Sequence, residues 1–92
     1  MEWRASHILV KERAKAEELL RQVKQGVSFE TLARDNSECP SKSQGGDLGW
    51  FGEGKMVAQF ESAVKKLSPG SVGDVVQTQF GYHIIKCTGR KD

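Results

Sequence analysis

The sequence predicts an α+β domain on a small, mainly antiparallel sheet. Three observations carry that expectation. A β-prone apolar run at residues 4–10 gives way to helical spacing at Ala16, Leu19, Leu20 and Val23. Helical spacing returns at Val57, Phe60, Val64 and Leu67, after a glycine-rich stretch. The chain then closes on two β-prone segments joined by Gln79-Phe80-Gly81. That connection is short and has glycine where a positive φ is expected, which is a hairpin signal.

Each element has its own justification. The first strand covers residues 4–10 and ends on Ile8-Leu9-Val10. The helix that follows spans residues 11–24, with Glu17 four residues before Arg21 in the favourable order for an exposed ion pair. Gly26 stands where a left-handed C-terminal cap is expected. Ser28 caps a second, short helix, Val27 and Leu32 are spaced as a hydrophobic staple, and Phe29, Leu32 and Ala33 form the buried stripe. Residues 36–54 are mostly turn formers. Five glycines lie from Gly45 to Gly54, leaving space only for a short strand around residues 48–51. The third helix runs over residues 57–67 and Ser68-Pro69-Gly70 stops it. Strands at residues 72–78 and 82–88 complete the order. There is no repeat, low-complexity tract or internal linker, so residues 1–92 form one domain.

Composition narrows the function classes. The chain has 92 residues, 37% hydrophobic and 28% charged, enough to bury roughly two-thirds of its unfolded surface in one core. Fourteen basic residues against twelve acidic give a formal charge of +2, which argues against reliance on phosphate-backbone binding. Lys65-Lys66 and Arg90-Lys91 are short pairs that read as solvated surface, so no nucleic-acid partner is expected. No apolar run approaches the roughly 18 residues needed to cross a bilayer. The start, Met1-Glu2-Trp3-Arg4, lacks the layout of a secretory signal, and Cys39 and Cys87 are expected as two thiols. A cytoplasmic monomer is the resulting expectation.

The chemistry-bearing residues leave several readings open. Gly46-Asp47-Leu48-Gly49 and Gly52-Glu53-Gly54-Lys55 match no nucleotide-binding pattern. These glycines permit tight turning, or close approach of a peptide ligand. His7 shares a strand face with Ala5 and Leu9, and His83 with Ile85 and Cys87, so the imidazoles meet if the two strands are neighbours. A mid-strand histidine is also a common satisfied core group. No CxxC, HxxxH or HExxH spacing supports a metal. Cys39, in a loop, invites a thiolate-nucleophile reading, but nothing orients a Cys–His pair. Met56 and Phe60 share a helix face with Val64, as core or as the wall of an apolar pocket.

Four blocks taken together resemble the parvulin family of peptidyl-prolyl cis/trans isomerases. They are Ser6-His7-Ile8-Leu9-Val10, Gly45-Gly46-Asp47-Leu48-Gly49-Trp50-Phe51, Gly54-Lys55-Met56-Val57 with Phe60-Glu61, and Thr78-Gln79-Phe80-Gly81-Tyr82-His83-Ile84-Ile85-Lys86. Their order and spacing agree with the family over essentially the whole chain. The resemblance implies a four-stranded antiparallel half-barrel surrounded by about four helices, an FKBP-like α+β fold. It implies a non-covalent isomerase that needs no cofactor or metal and acts on proline-containing segments of client proteins. His7 and His83 match the family's paired histidines, Thr78 the hydroxyl residue bonded to them, and Cys39 a position held by Cys or Asp. Leu48, Met56 and Phe60 match the pocket for the proline ring, and Phe80 lies on the hairpin lip. The alternative is a chaperone module that binds proline segments with little turnover.

The link from Val10 through Lys11-Glu12-Arg13 is too short for the extended basic loop that phosphate-requiring parvulins carry. With an aromatic lip at Phe80, it predicts an apolar residue before proline and no phosphate requirement.

Overall fold

The first and last strands, β1 (Glu2–Val10) and β4 (Gly81–Lys91), lie side by side at the centre of the sheet. This is seen in a computed structural model that describes residues 1–92. Between them come α1 (Arg13–Lys24), α2 (Phe29–Asn36), a 3-10 helix at Pro40–Gln44, β2 (Asp47–Gly52), α3 (Ala58–Lys65) and β3 (Val76–Thr78). The strand order is β2-β1-β4-β3, antiparallel throughout. The sheet is open, with β2 and β3 as its edges. Three α-helices and the 3-10 helix supply the four helical segments expected. No helix is long and apolar enough to cross a membrane.

Local sequence explains the helices. Ser28 Oγ accepts the Thr31 backbone N–H at 3.3 Å, so α2 is capped as expected. Gly26 adopts φ +99°, beyond the end of α1. Val27, in contrast, is 41% exposed and makes no buried staple. Arg21 pairs with Glu18 rather than Glu17, since a partner three residues back is also within reach.

The strands depart from the expected bounds for tertiary reasons. β1 starts earlier because Trp3, 2% exposed, is drawn into the core opposite Phe51 and Arg90. β3 keeps only three residues of the expected seven. Upstream, Ser71, Gly73 and Asp74 disfavour a strand. That segment follows β4 loosely, through Gly73 N–H to Ile85 O at 3.2 Å and Cys87 N–H to Ser71 O at 3.0 Å.

The sheet separates two cores. Ile8, Val10 and Ile84 face α1 and α2, packing on Leu19, Leu20, Phe29 and Leu32. Trp3, Ala5, Ile85 and Cys87 face the other way, onto Phe51 and onto Phe60 and Val64 of α3. Both cysteines are free thiols. The open cleft lies on the α3 side.

Candidate active site

Period-2 alternation puts His7 of β1 on the α3 side, with Ala5. The register pairs Leu9 with His83 and His7 with Ile85, so the two histidines are diagonal neighbours on one face. Their Nδ1 atoms stand 3.0 Å apart and their rings are stacked, with centroids 5.1 Å apart and planes 22° apart. Thr78, at the end of β3, places Oγ1 2.7 Å from Nε2 of His83 and accepts the Phe80 N–H at 3.2 Å. Phe60 stands edge-on to both imidazoles, at 5.5 Å and 5.6 Å.

Electrostatics keeps both rings neutral. Burial, reinforced by His83, pushes His7 down to about 4, and burial lowers His83 as well. A 3.0 Å contact between two neutral Nδ1 atoms requires one N–H and one lone pair, so the rings take opposite roles in a single bond. The bonded chain runs from Phe80 N–H through Thr78 and His83 to His7, whose buried Nε2 has no protein partner. No group of three or more His, Cys, Asp or Glu side chains comes together as a metal cage.

A cleft of about 470 Å3 opens above the pair. Seven of the eight expected residues line it: His7, His83, Cys39, Leu48, Met56, Phe60 and Phe80. Thr78 is not in the lining; it reaches the site only through His83. Phe80 is 52% exposed and forms a lip rather than a wall. Leu9, Glu38, Pro40, Lys55 and Val57 also line the cleft and were not singled out from sequence. Of these, Leu9 carried a readable signal through the strand face it shares with His7, and Val57 through its helical spacing with Phe60.

The wall bearing Cys39 is clamped to β1. Ser37, 3% exposed, offers Oγ to the N–H groups of Leu9 (3.0 Å) and Cys39 (3.3 Å). Glu38 N–H donates to Leu9 O at 2.8 Å. This segment takes over the edge of β1 beyond the point where β2 ends. Gly46 makes the change-over possible. It accepts the His7 N–H at 3.0 Å and holds φ +90°, and a Cβ there would stand 2.5 Å from His7 O. At the other rim, Lys11 Nζ donates to Phe80 O at 3.0 Å, and Arg13 lies 5.7 Å over the Tyr82 ring. The two cations of the β1–α1 link are therefore engaged with the hairpin.

The model of the PPIC-type PPIase domain matches residues 2–91, nearly the whole chain. This chain belongs to the PPIC-type peptidyl-prolyl isomerase family. The domain is similar to the foldase protein PrsA of Geobacillus kaustophilus, 53% identical over 96% of this chain and 32% of that protein. It is also similar to the crystal structure of the peptidylprolyl isomerase PrsA from Bacillus anthracis, with TM-score 0.97 and 49% identity over 99% of this chain and 42% of that one. The solution structure of NmPin, the parvulin of Nitrosopumilus maritimus, aligns with TM-score 0.84 and 39% identity, covering 96% of each chain. The domain spans about a third of the length of the curated relatives it matches, at 32% and 33% of the first two. The parvulin resemblance, the fold and the isomerase class read from sequence all stand. None of these matches supports the cytoplasmic location expected from composition.

Proposed function

We propose that this chain accelerates cis/trans isomerisation of Xaa-Pro bonds in proline-containing segments of client proteins, without a covalent intermediate and with an apolar residue favoured before proline. The observation that carries the reading is a neutral, mutually bonded histidine pair on the floor of an apolar cleft of about 470 Å3. That volume lies within the range of about 300–1,000 Å3 usual for ligand pockets.

The physics of the reaction fits such a site. Rotation about the peptide bond is opposed by roughly 18–20 kcal/mol of lost resonance. Catalysis requires only that the twisted amide be bound better than either planar form. Leu48, Met56 and Phe60 hold the proline ring and exclude water from the amide. Cys39, on the adjacent wall, supplies a polar contact to the substrate carbonyl rather than a nucleophile. His7, His83 and Thr78 act as one bonded unit that fixes the floor and presents a neutral polar surface to the rotating amide.

The engaged cations support the absence of a phosphate requirement. Lys11 and Arg13 are tied to Phe80 and Tyr82, and recognition of a charge of about −1.5 to −2 calls for free, clustered donors. NMR exchange or protease-coupled assays on matched peptides with Leu, Glu, Ser or phosphoserine before proline test both parts. The leucine peptide is expected to have the highest catalytic efficiency. A phosphopeptide turned over about tenfold faster, a gap of about 1.4 kcal/mol, would overturn the preference. Binding of all these peptides without faster exchange would favour the second reading, a proline-segment chaperone, which the foldase names of the relatives also suit.

A further inference from the structure

Two charged side chains, Glu38 and Lys55, line the cleft. They come from different segments of the chain. Glu38 belongs to the segment clamped to β1 and precedes Cys39; Lys55 belongs to the β2–α3 connection and precedes Met56. Neither forms an ion pair, although Glu2, Glu18, Glu30, Asp47, Glu53 and Glu61 each meet a cation elsewhere on the surface. The remaining lining is apolar or neutral: His7 and His83 are held uncharged, and Cys39 is flanked by Pro40. A shallow depression beyond Glu38 is lined by Lys11, Glu12, Lys15 and Glu38, whose formal charges cancel. An extended peptide lying in the cleft therefore meets one acidic side chain from the segment before the 3-10 helix and one basic side chain from the β2–α3 connection.

We propose that Glu38 and Lys55 read the charge of the residues flanking the proline, so that a client segment with a cation on one side and an anion on the other binds more tightly in one order than in the reverse. This rests on the isomerase reading only for where the proline sits. The physical reason is the asymmetry of the field. An apolar floor between two opposite charges favours a segment whose own charges run antiparallel to it. Both side chains are solvent-exposed, so each contact is weak and salt-sensitive. The proposal concerns discrimination between clients, and the proline cup supplies the common affinity.

The test uses two peptides of identical composition around a Leu-Pro centre. One has Lys two residues before and Glu two residues after the bond, and the other has them exchanged. Dissociation constants are measured by NMR titration, at low salt and at 1 M salt, for the wild-type chain and for the double variant Glu38→Lys with Lys55→Glu. The wild type is expected to prefer one order by about fivefold, and the double variant the other order by a similar factor. Both preferences should collapse at 1 M salt, where the Debye length is about 3 Å. A general weakening of the cleft lowers both affinities and cannot invert their ratio. Equal affinities in the wild type, or the same order kept by the double variant, would overturn the proposal. Exchange rates on the same peptides report separately on isomerase activity, so loss of turnover and loss of charge order are distinguishable.

Discussion

On the face covered by α1 and α2, nine buried apolar residues close over the sheet; on the α3 face, seven share it with two imidazoles and an open cleft. The same two strands supply both. Ile8 and Ile84 point one way into full burial, and His7 and His83 point the other way, one residue along. Alternation lets a strand devote one set of side chains to stability and the other to chemistry without moving its backbone. The difference teaches that the cleft is affordable because the opposite face is sealed. On the α3 side, Trp3, Phe51 and Val64 pack together without lining the cleft.

Phe60 is where this division of labour breaks down, because it is 3% exposed, packs in the core and lines the cleft. Phe60→Ala is expected to cost about 3–5 kcal/mol of stability and also to raise KM. Chemical denaturation followed by kinetics on the folded fraction measures both. A large loss of stability with KM unaltered would mean that the ring serves the core alone.

Leu19→Ala probes the sealed face by itself. It should cost about 2–5 kcal/mol while leaving KM and kcat of the folded protein as they were. If the kinetics also change in proportion, the two faces are mechanically coupled and the comparison fails.

Above pH 5, acid acts chiefly on the histidine pair of the open face. His7 is protonated near 6.5 in the unfolded chain and only near 4 when folded, so stability is complete above 6.5 and declines as pH falls towards 4. The unfolded chain takes up a proton that the buried ring refuses, a loss of roughly 3 kcal/mol from this group over the interval. Asp47 and Glu61 are also lowered, by Arg4 and by the Gly54 N–H with Lys65 respectively, but these carboxylates start from 3.8 and 4.5. Urea midpoints between pH 7.5 and 5 therefore isolate the imidazoles. A midpoint that stays level over this span would contradict the neutral, buried pair.

The smallest expected effect is at Cys39. Cys39→Asp should retain most activity, whereas Cys39→Ala should lose about tenfold, the worth of one polar contact of about 1.4 kcal/mol. Trapping of an acyl adduct on the thiol, or an active Ala beside an inert Asp, would identify a nucleophile instead.

Much of this arrangement was legible in single residues. Ala16, Leu19 and Leu20 announced the buried stripe of α1 by spacing alone, and Ser28 announced the cap of α2. The shared face of His7 and Leu9 followed from alternation. That β1 lies beside β4 did not, because no local signal says which strands pair; it came from the parvulin resemblance. The Ser37 clamp stayed hidden for a related reason. Its hydroxyl bonds to Leu9, 28 residues back, and a serine before an acidic residue looks like any other loop position. The 3-10 helix at Pro40–Gln44 is too short to show a period. Glu38 and Lys55 look like ordinary surface charges until the cleft is drawn between them.

The central pairing of β1 with β4 also governs when this molecule becomes competent. His7 and His83 are 76 residues apart in the chain. Bringing such distant points together costs about 4 kcal/mol of loop-closure entropy before any contact repays it. Helices α1 to α3 can flicker into place on local information, but the bond between the imidazoles waits for the most distant closure in the molecule. A chain emerging from the ribosome thus carries no partial catalyst. Until β4 is free to dock, the floor of the cleft is missing and both cores lack a central strand, so activity should switch on in one cooperative step once β4 is available.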